Sequence, residues 1–85
     1  MSYSIKLIPP GTLVSNRTII LSTLIRETSD GLYPVYIAVA HSSQEYHPYV
    51  VWYVSERPEG YHAESGEYFH DAKDAIINWQ EKGGK

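Results

Sequence analysis

Thr18-Ile19-Ile20-Leu21-Ser22-Thr23-Leu24-Ile25-Arg26-Glu27-Thr28 is the stretch whose reading decides the fold. As a helix it would gather Ile20, Leu21, Leu24 and Ile25 on one side. As a strand it would gather Ile19, Leu21, Thr23 and Ile25 on one face. Six of the eleven residues are β-branched, and such side chains lose χ1 freedom against a helical turn but fit a pleated surface. The stretch then meets Ser29-Asp30-Gly31, a hairpin signal, since glycine accepts positive φ at low cost. The strand reading is therefore adopted. The alternative, with a helix over 18–27, gives the order β-α-β-β-α and a three-stranded sheet.

Upstream, residues 3–8 alternate apolar and polar as a half-buried strand would, and Pro9-Pro10-Gly11 ends them. Downstream, residues 32–41 form the clearest strand: Tyr33, Val35, Ile37 and Val39 alternate with Pro34, Tyr36, Ala38 and Ala40. Pro34 marks either a sheet edge or the start of the strand. A polar loop over 41–48 separates this strand from the next, which places Tyr49, Val51 and Tyr53 on one face and Val50, Trp52 and Val54 on the other. Arg57-Pro58-Glu59-Gly60 has the proline and glycine placement of a type I turn. A short strand over 61–64 is expected before Ser65-Gly66.

A helix is expected over 71–82. Asp71 suits the N-cap and Asp74 the first turn. Ala72, Ala75, Ile76 and Trp79 follow the spacing of one buried stripe, so Ile76 and Trp79 should be buried, while Ile77 lies off the stripe as an exposed apolar contact. Lys82 falls in the last turn, and Gly83-Gly84 supplies the stop. The expected fold is α+β: an antiparallel meander of about four strands with one C-terminal helix packed on one face. Eighty-five residues make a single domain, 1–85, with a flexible tail over 83–85.

These elements are mismatched in size. A helix of this length spans about 17 Å and covers a width of about 10–12 Å. Four nine-residue strands make a sheet about 30 Å long whose outer strands lie about 14 Å apart. One helix thus covers less than half of one face, unless the sheet curls over itself. An uncovered aromatic face in a chain with no cysteine to cross-link it points to oligomerisation. The candidate interaction surface is Tyr36, Tyr49, Trp52, Tyr53 and Ile77.

Seven basic and ten acidic residues give a net charge of −3, with Lys6, Arg17, Arg26, Arg57, Lys73, Lys82 and Lys85 scattered along the chain. That is the wrong sign for a protein held to a phosphate backbone. Neither a signal-peptide core nor an apolar run of membrane-spanning length is present, so a cytoplasmic location is expected. No phosphate-binding glycine loop, zincin, EF-hand or nucleophile-elbow pattern occurs. His41, His47, His62 and His70 lie in loops or at strand ends without ligand spacing. His41 and His47 flank one loop and would approach each other if it closes a hairpin. No cofactor, metal or catalytic residue is assigned.

The run Gly66-Glu67-Tyr68-Phe69-His70-Asp71-Ala72-Lys73-Asp74-Ala75, after a strand containing Trp52-Tyr53, resembles a loose group of small bacterial and mobile-element proteins. In these an aromatic hairpin precedes Gly-x-Tyr-Phe and a short Ala-x-x-Ala helix. The resemblance spans 49–79 and implies the strand-then-helix order and a phage- or plasmid-type accessory or inhibitor role. It carries over no activity and no site residue.

The expected function is therefore that of a non-enzymatic protein-interaction module, self-associating as a homodimer or binding an unidentified protein partner. The first alternative is a single-stranded nucleic-acid binder that stacks bases on Tyr36, Tyr49, Trp52 and Tyr53. The second is a small histidine-dependent enzyme or metal protein.

Overall fold

The structure, a computed structural model, describes residues 7–26 and 32–84. Among these residues the elements are β1 (Leu13–Val14), β2 (Arg17–Arg26), β3 (Val35–His41), β4 (Tyr49–Arg57), β5 (Gly60–Phe69) and α1 (Ala72–Glu81). The strands form one antiparallel sheet in the order β1-β2-β3-β4-β5, with every strand beside its neighbour in sequence. The expected meander and C-terminal helix are both present, and the segment from Arg17 to Arg26 is strand. The strand count is five rather than about four. Most of the strand expected over 3–8, and the turn expected at Ser29-Asp30-Gly31, lie outside the described residues. Leu7 and Ile8 are not in a strand.

The extra strand, β1, exists because Ser15 and Asn16 both take positive φ, 48° and 68°. Two such residues between the paired Val14 and Arg17 make the tight hairpin turn whose twist matches that of the flanking strands. β3 begins just after Pro34, so the proline marks a strand start and not a sheet edge. β5 runs unbroken to Phe69 where a break at Ser65-Gly66 was expected. Val51 pairs with Glu67 and Tyr53 with Glu64, so Ser65 and Gly66 together oppose Trp52 as a bulge, with Ser65 at φ 59°.

β2 carries two irregularities. Ile19 pairs with Ala40 and Leu21 with Val39, which leaves Ile20 as an extra residue; Leu24 pairs with Tyr36 and Arg26 with Val35, which leaves Ile25 extra. Each extra residue reverses the alternation. Ile19 and Leu24 therefore belong to one apolar cluster, and Ile20 and Leu21 to the other. The single face expected for Ile19, Leu21, Thr23 and Ile25 does not form. The bulges also account for the helix-like spacing of this stretch: a strand with an extra residue about every five positions no longer repeats strictly every two.

The two sheet faces are covered differently. One holds Ile37, Val39 and Val51, with Tyr49, Tyr53 and Phe69 beside them, and α1 lies across it through Ala75, Ile76 and Trp79. The indole Nε1–H of Trp79 donates to the Ile37 carbonyl oxygen at 2.8 Å. The other face holds Tyr36, Ala38, Ala40, Val50, Trp52 and Val54, and among the described residues no helix lies on it. The sheet curls to enclose this face. Ile8, Val14 and Ile19 close it from one side, Tyr61 and Ala63 from the other, and β1 reaches β5. The segment ahead of β1 is tied down by hydrogen bonds: Gly11 N–H donates to the Ile19 carbonyl and Ile19 N–H to the Thr12 carbonyl, both at 2.8 Å, while Ile8 N–H donates to Ser22 Oγ at 2.7 Å.

α1 starts at Asp71, whose backbone is extended as an N-cap requires, although its carboxylate makes no capping hydrogen bond. It ends in the paired bonds of a Schellman cap, Gly83 N–H to the Gln80 carbonyl and Gly84 N–H to the Trp79 carbonyl, with Gly83 at φ 113°. Lys82 is the C-cap residue. Gly84 is buried flat against the Trp79 indole, where a β-carbon would fall 2.2 Å from the ring. Gly83 and Gly84 thus form the packed C-cap of the helix, and Lys85 lies outside the described residues. Glu67 of β5 ties the helix down, accepting from Lys82 Nζ at 2.7 Å and from Asn78 Nδ2 at 3.4 Å.

Candidate functional site

The tight turn at Ser15-Asn16 delivers Arg17 to the end of the curled sheet, where it is buried. Its Nη1 donates to the Pro48 carbonyl at 2.8 Å and its Nη2 to the His47 carbonyl at 3.2 Å. The guanidinium lies over the Tyr68 ring, 5.2 Å from the centroid, and Glu45 Oε1 is 3.9 Å from Nη2. One side chain thus joins the start of β2, the 42–48 loop and the end of β5. Two carbonyl oxygens, an aromatic face and a carboxylate together compensate a charge that would otherwise be costly to bury.

Beside Arg17 is a cleft of about 420 Å³ lined by Ser15, Arg17, Glu45, Tyr46, His47, Trp52 and Tyr68. Its rim is aromatic. Tyr46 is 80% exposed and Tyr68 54%. Tyr46 does not stand alone, since its ring centroid lies 4.7 Å from that of His47 and 5.4 Å from that of His70, and the two imidazoles are 5.6 Å apart. Trp52 lines the cleft, and its buried Nε1–H has no acceptor among the described residues. This is the kind of group that native structures seldom leave unpaired.

A second cleft, about 360 Å³, opens at the opposite end of the strands between Arg26, Tyr33, Val35, Tyr53, Ser55, Arg57 and Glu64. Arg57 lies over the Tyr33 ring at 5.4 Å and donates through Nε to Ser55 Oγ at 3.0 Å, while Arg26 Nη2 donates to the Tyr33 carbonyl at 3.0 Å. Its guanidinium groups serve to hold Tyr33, and among the described residues lining it no buried side-chain polar atom lacks a partner.

The five residues expected to form one surface are dispersed. Tyr36 is 2% exposed and Trp52 6%, both inside the curl, so the structure corrects the reading of them as surface residues. Alternation gives the face of a residue but not what lies opposite it. Tyr49 and Tyr53 are half-buried on the helix-bearing face. Ile77, at 44%, is exposed as its position off the stripe requires. The nucleic-acid platform expected from Tyr36, Tyr49, Trp52 and Tyr53 does not form, because its members point to opposite faces and two are interior.

Tyr36 is fixed at its tip as well. Its hydroxyl donates to Glu56 Oε1 at 2.7 Å, and burial, reinforced by that carboxylate, holds its proton well above the ordinary tyrosine value of 10. Tyr61 is pushed the same way by burial and by Glu56.

His41 lies tilted against Tyr49, with ring centroids 4.8 Å apart, and His47 meets His70 edge-on. Among the described residues no three His, Asp or Glu side chains converge as metal ligands would. Sequence reasoning missed Arg17, Tyr46 and Tyr68. The available signals were an aromatic residue inside the polar loop, at Tyr46, and an arginine directly after Ser-Asn, at Arg17. No family model, curated protein or solved structure matches the chain.

Proposed function

We infer that the chain is a non-enzymatic protein-interaction module that engages its partner through the end of the molecule built by Arg17, the 42–48 loop and Tyr68. The observation that carries this reading is the rim. Tyr46 and Tyr68 are large and exposed, stand beside a cleft, and are held by contacts with His47, His70 and Arg17. Tyrosine and arginine are the residues enriched where interfaces concentrate their binding energy, and rings already held in place lose little entropy on binding. The partner is a different protein. Self-association is expected through an open sheet face or an edge strand, and of these the open face is filled by the chain's own residues.

The test is affinity capture with the wild-type chain and with a Tyr46→Ala/Tyr68→Ala double variant, the latter first checked for an unchanged circular dichroism spectrum and melting temperature. Both rings are exposed, so the variant should fold. A protein retained by the wild type and lost at least tenfold by the variant supports the reading. Equal retention by both refutes it. Sedimentation up to high micromolar concentration should show a monomer, and a reversible dimer would return the argument to self-association.

A further inference from the structure

We propose that the cleft beside Arg17 binds a carboxylate carried on an apolar or aromatic group, a proposal that rests on reading this end of the molecule as the recognition surface. Three observations converge. First, Trp52 lines the cleft, and its indole N–H, closed to water in the free chain, has no acceptor among the described residues, so a ligand acceptor that reached it would gain a bond without breaking one in the protein. Second, Arg17 commits two of the five N–H donors of a guanidinium to the Pro48 and His47 carbonyls. The rest of its planar fork has the geometry that suits a carboxylate. Third, the walls contributed by Tyr46 and Tyr68 are flat rings, suited to an apolar group beside the acid.

Glu45 fits this assignment. Its Oε1 is 3.9 Å from Arg17 Nη2, at the outer limit of an ion pair, and the side chain is exposed. It holds the place that a ligand carboxylate would take, and yielding that place costs little because the contact is long and solvated. Arg17 therefore keeps an anionic neighbour in the free state and gains a closer one on binding. The acid can be the C-terminus of a polypeptide or a small organic acid, since both present the same group.

The full chain contains two tryptophans, so its ¹⁵N-labelled form gives two indole N–H signals, and Trp79, bonded to the Ile37 carbonyl, is the internal control. The probes are N-acetyl-phenylalanine, a tetrapeptide ending in phenylalanine with a free C-terminus, and the amidated form of each. The expected result is a saturable shift of the Trp52 indole signal with an acid, about tenfold or more weaker with its amide, and an unmoved Trp79 signal. Tighter binding of the peptide acid identifies a chain terminus, and binding by the amino acid alone identifies a small acid; either supports the proposal. Glu45→Gln should tighten binding about two- to fivefold. Arg17→Lys, which keeps the charge and loses the fork, should weaken it about tenfold.

No saturable Trp52 shift with any probe, or equal binding of acid and amide, would overturn the proposal. Because capture is measured separately, loss of the acid response with capture intact removes only the carboxylate claim. An acid response with capture insensitive to Tyr46 and Tyr68 leaves the carboxylate site standing and removes the protein-interaction reading.

Discussion

The two faces of this sheet bury comparable apolar sets by different means. The Ile37–Val39–Val51 face is covered by an added element, α1, anchored through Trp79 and stopped where Gly84 meets the indole. The Tyr36–Trp52–Val54 face is covered by the sheet itself, with Ile8 and Val14 from the N-terminal side completing the enclosure. The difference shows that one short helix suffices for a five-stranded sheet when bulges let the sheet curl, because a curled sheet needs an outside layer on only one face. The proposed recognition surface accordingly lies at the end of the curl, where β1, the 42–48 loop and β5 meet, instead of on a flat face.

Removing the added layer should have the largest effect. Trp79→Ala deletes a buried indole and its hydrogen bond to Ile37, and should cost about 3–5 kcal/mol in urea unfolding, with loss of helical circular dichroism. On the self-covered face, Ile8→Ala should cost about 2–4 kcal/mol, because this residue outside any strand is fully buried. A cost below about 0.5 kcal/mol, the range of a surface substitution, would mean that the N-terminal segment is not part of the enclosure and would break the comparison.

Gly84→Ala tests the helix-bearing face more finely. A β-carbon 2.2 Å from the Trp79 ring forces the cap or the indole to move, and the expected cost is about 1–3 kcal/mol, read as a lower melting temperature. Tyr36→Phe probes the enclosed face with the smallest change, removing only the hydroxyl bonded to Glu56, and should cost about 1 kcal/mol at neutral pH.

The same variant carries a pH signature whose sign is fixed. The folded state holds the Tyr36 proton above its ordinary value of 10, whereas the unfolded chain releases it near that value. The stability this contributes is complete below pH 10 and is lost as pH rises above it. Urea midpoints measured from pH 8 to 11 should therefore fall less steeply in Tyr36→Phe than in the wild type. Some slope should remain, because Tyr61 is shifted in the same direction.

Much of the fold was legible in the sequence, and for identifiable reasons. The alternation in β3 and β4 was unbroken, so the facing of Tyr36 against Ile37 and of Trp52 against Tyr53 could be read directly. The helix showed a stripe and a glycine stop, both of which are local. β2 was ambiguous because two bulges interrupt its period, and the residue at which a bulge falls depends on pairing with β3, not on the bulged residue itself. The candidate site was least legible. Ser15, Arg17, Glu45, Tyr46, Trp52 and Tyr68 come from four separate parts of the chain, and nothing local marks them as neighbours.

By itself the sequence determined the type of most elements, the order of the meander, the two-faced character of β3 and β4, and the helix with its stop. All of these follow from side-chain periodicity and backbone preferences within a few residues. Only the tertiary structure decided that Tyr36 and Trp52 are interior, that Ile8 belongs to the core, and that Arg17 stands beside Tyr46 and Tyr68. Burial depends on what lies opposite a residue, and here that is set by the curl of the sheet, a property of all its strand pairings together.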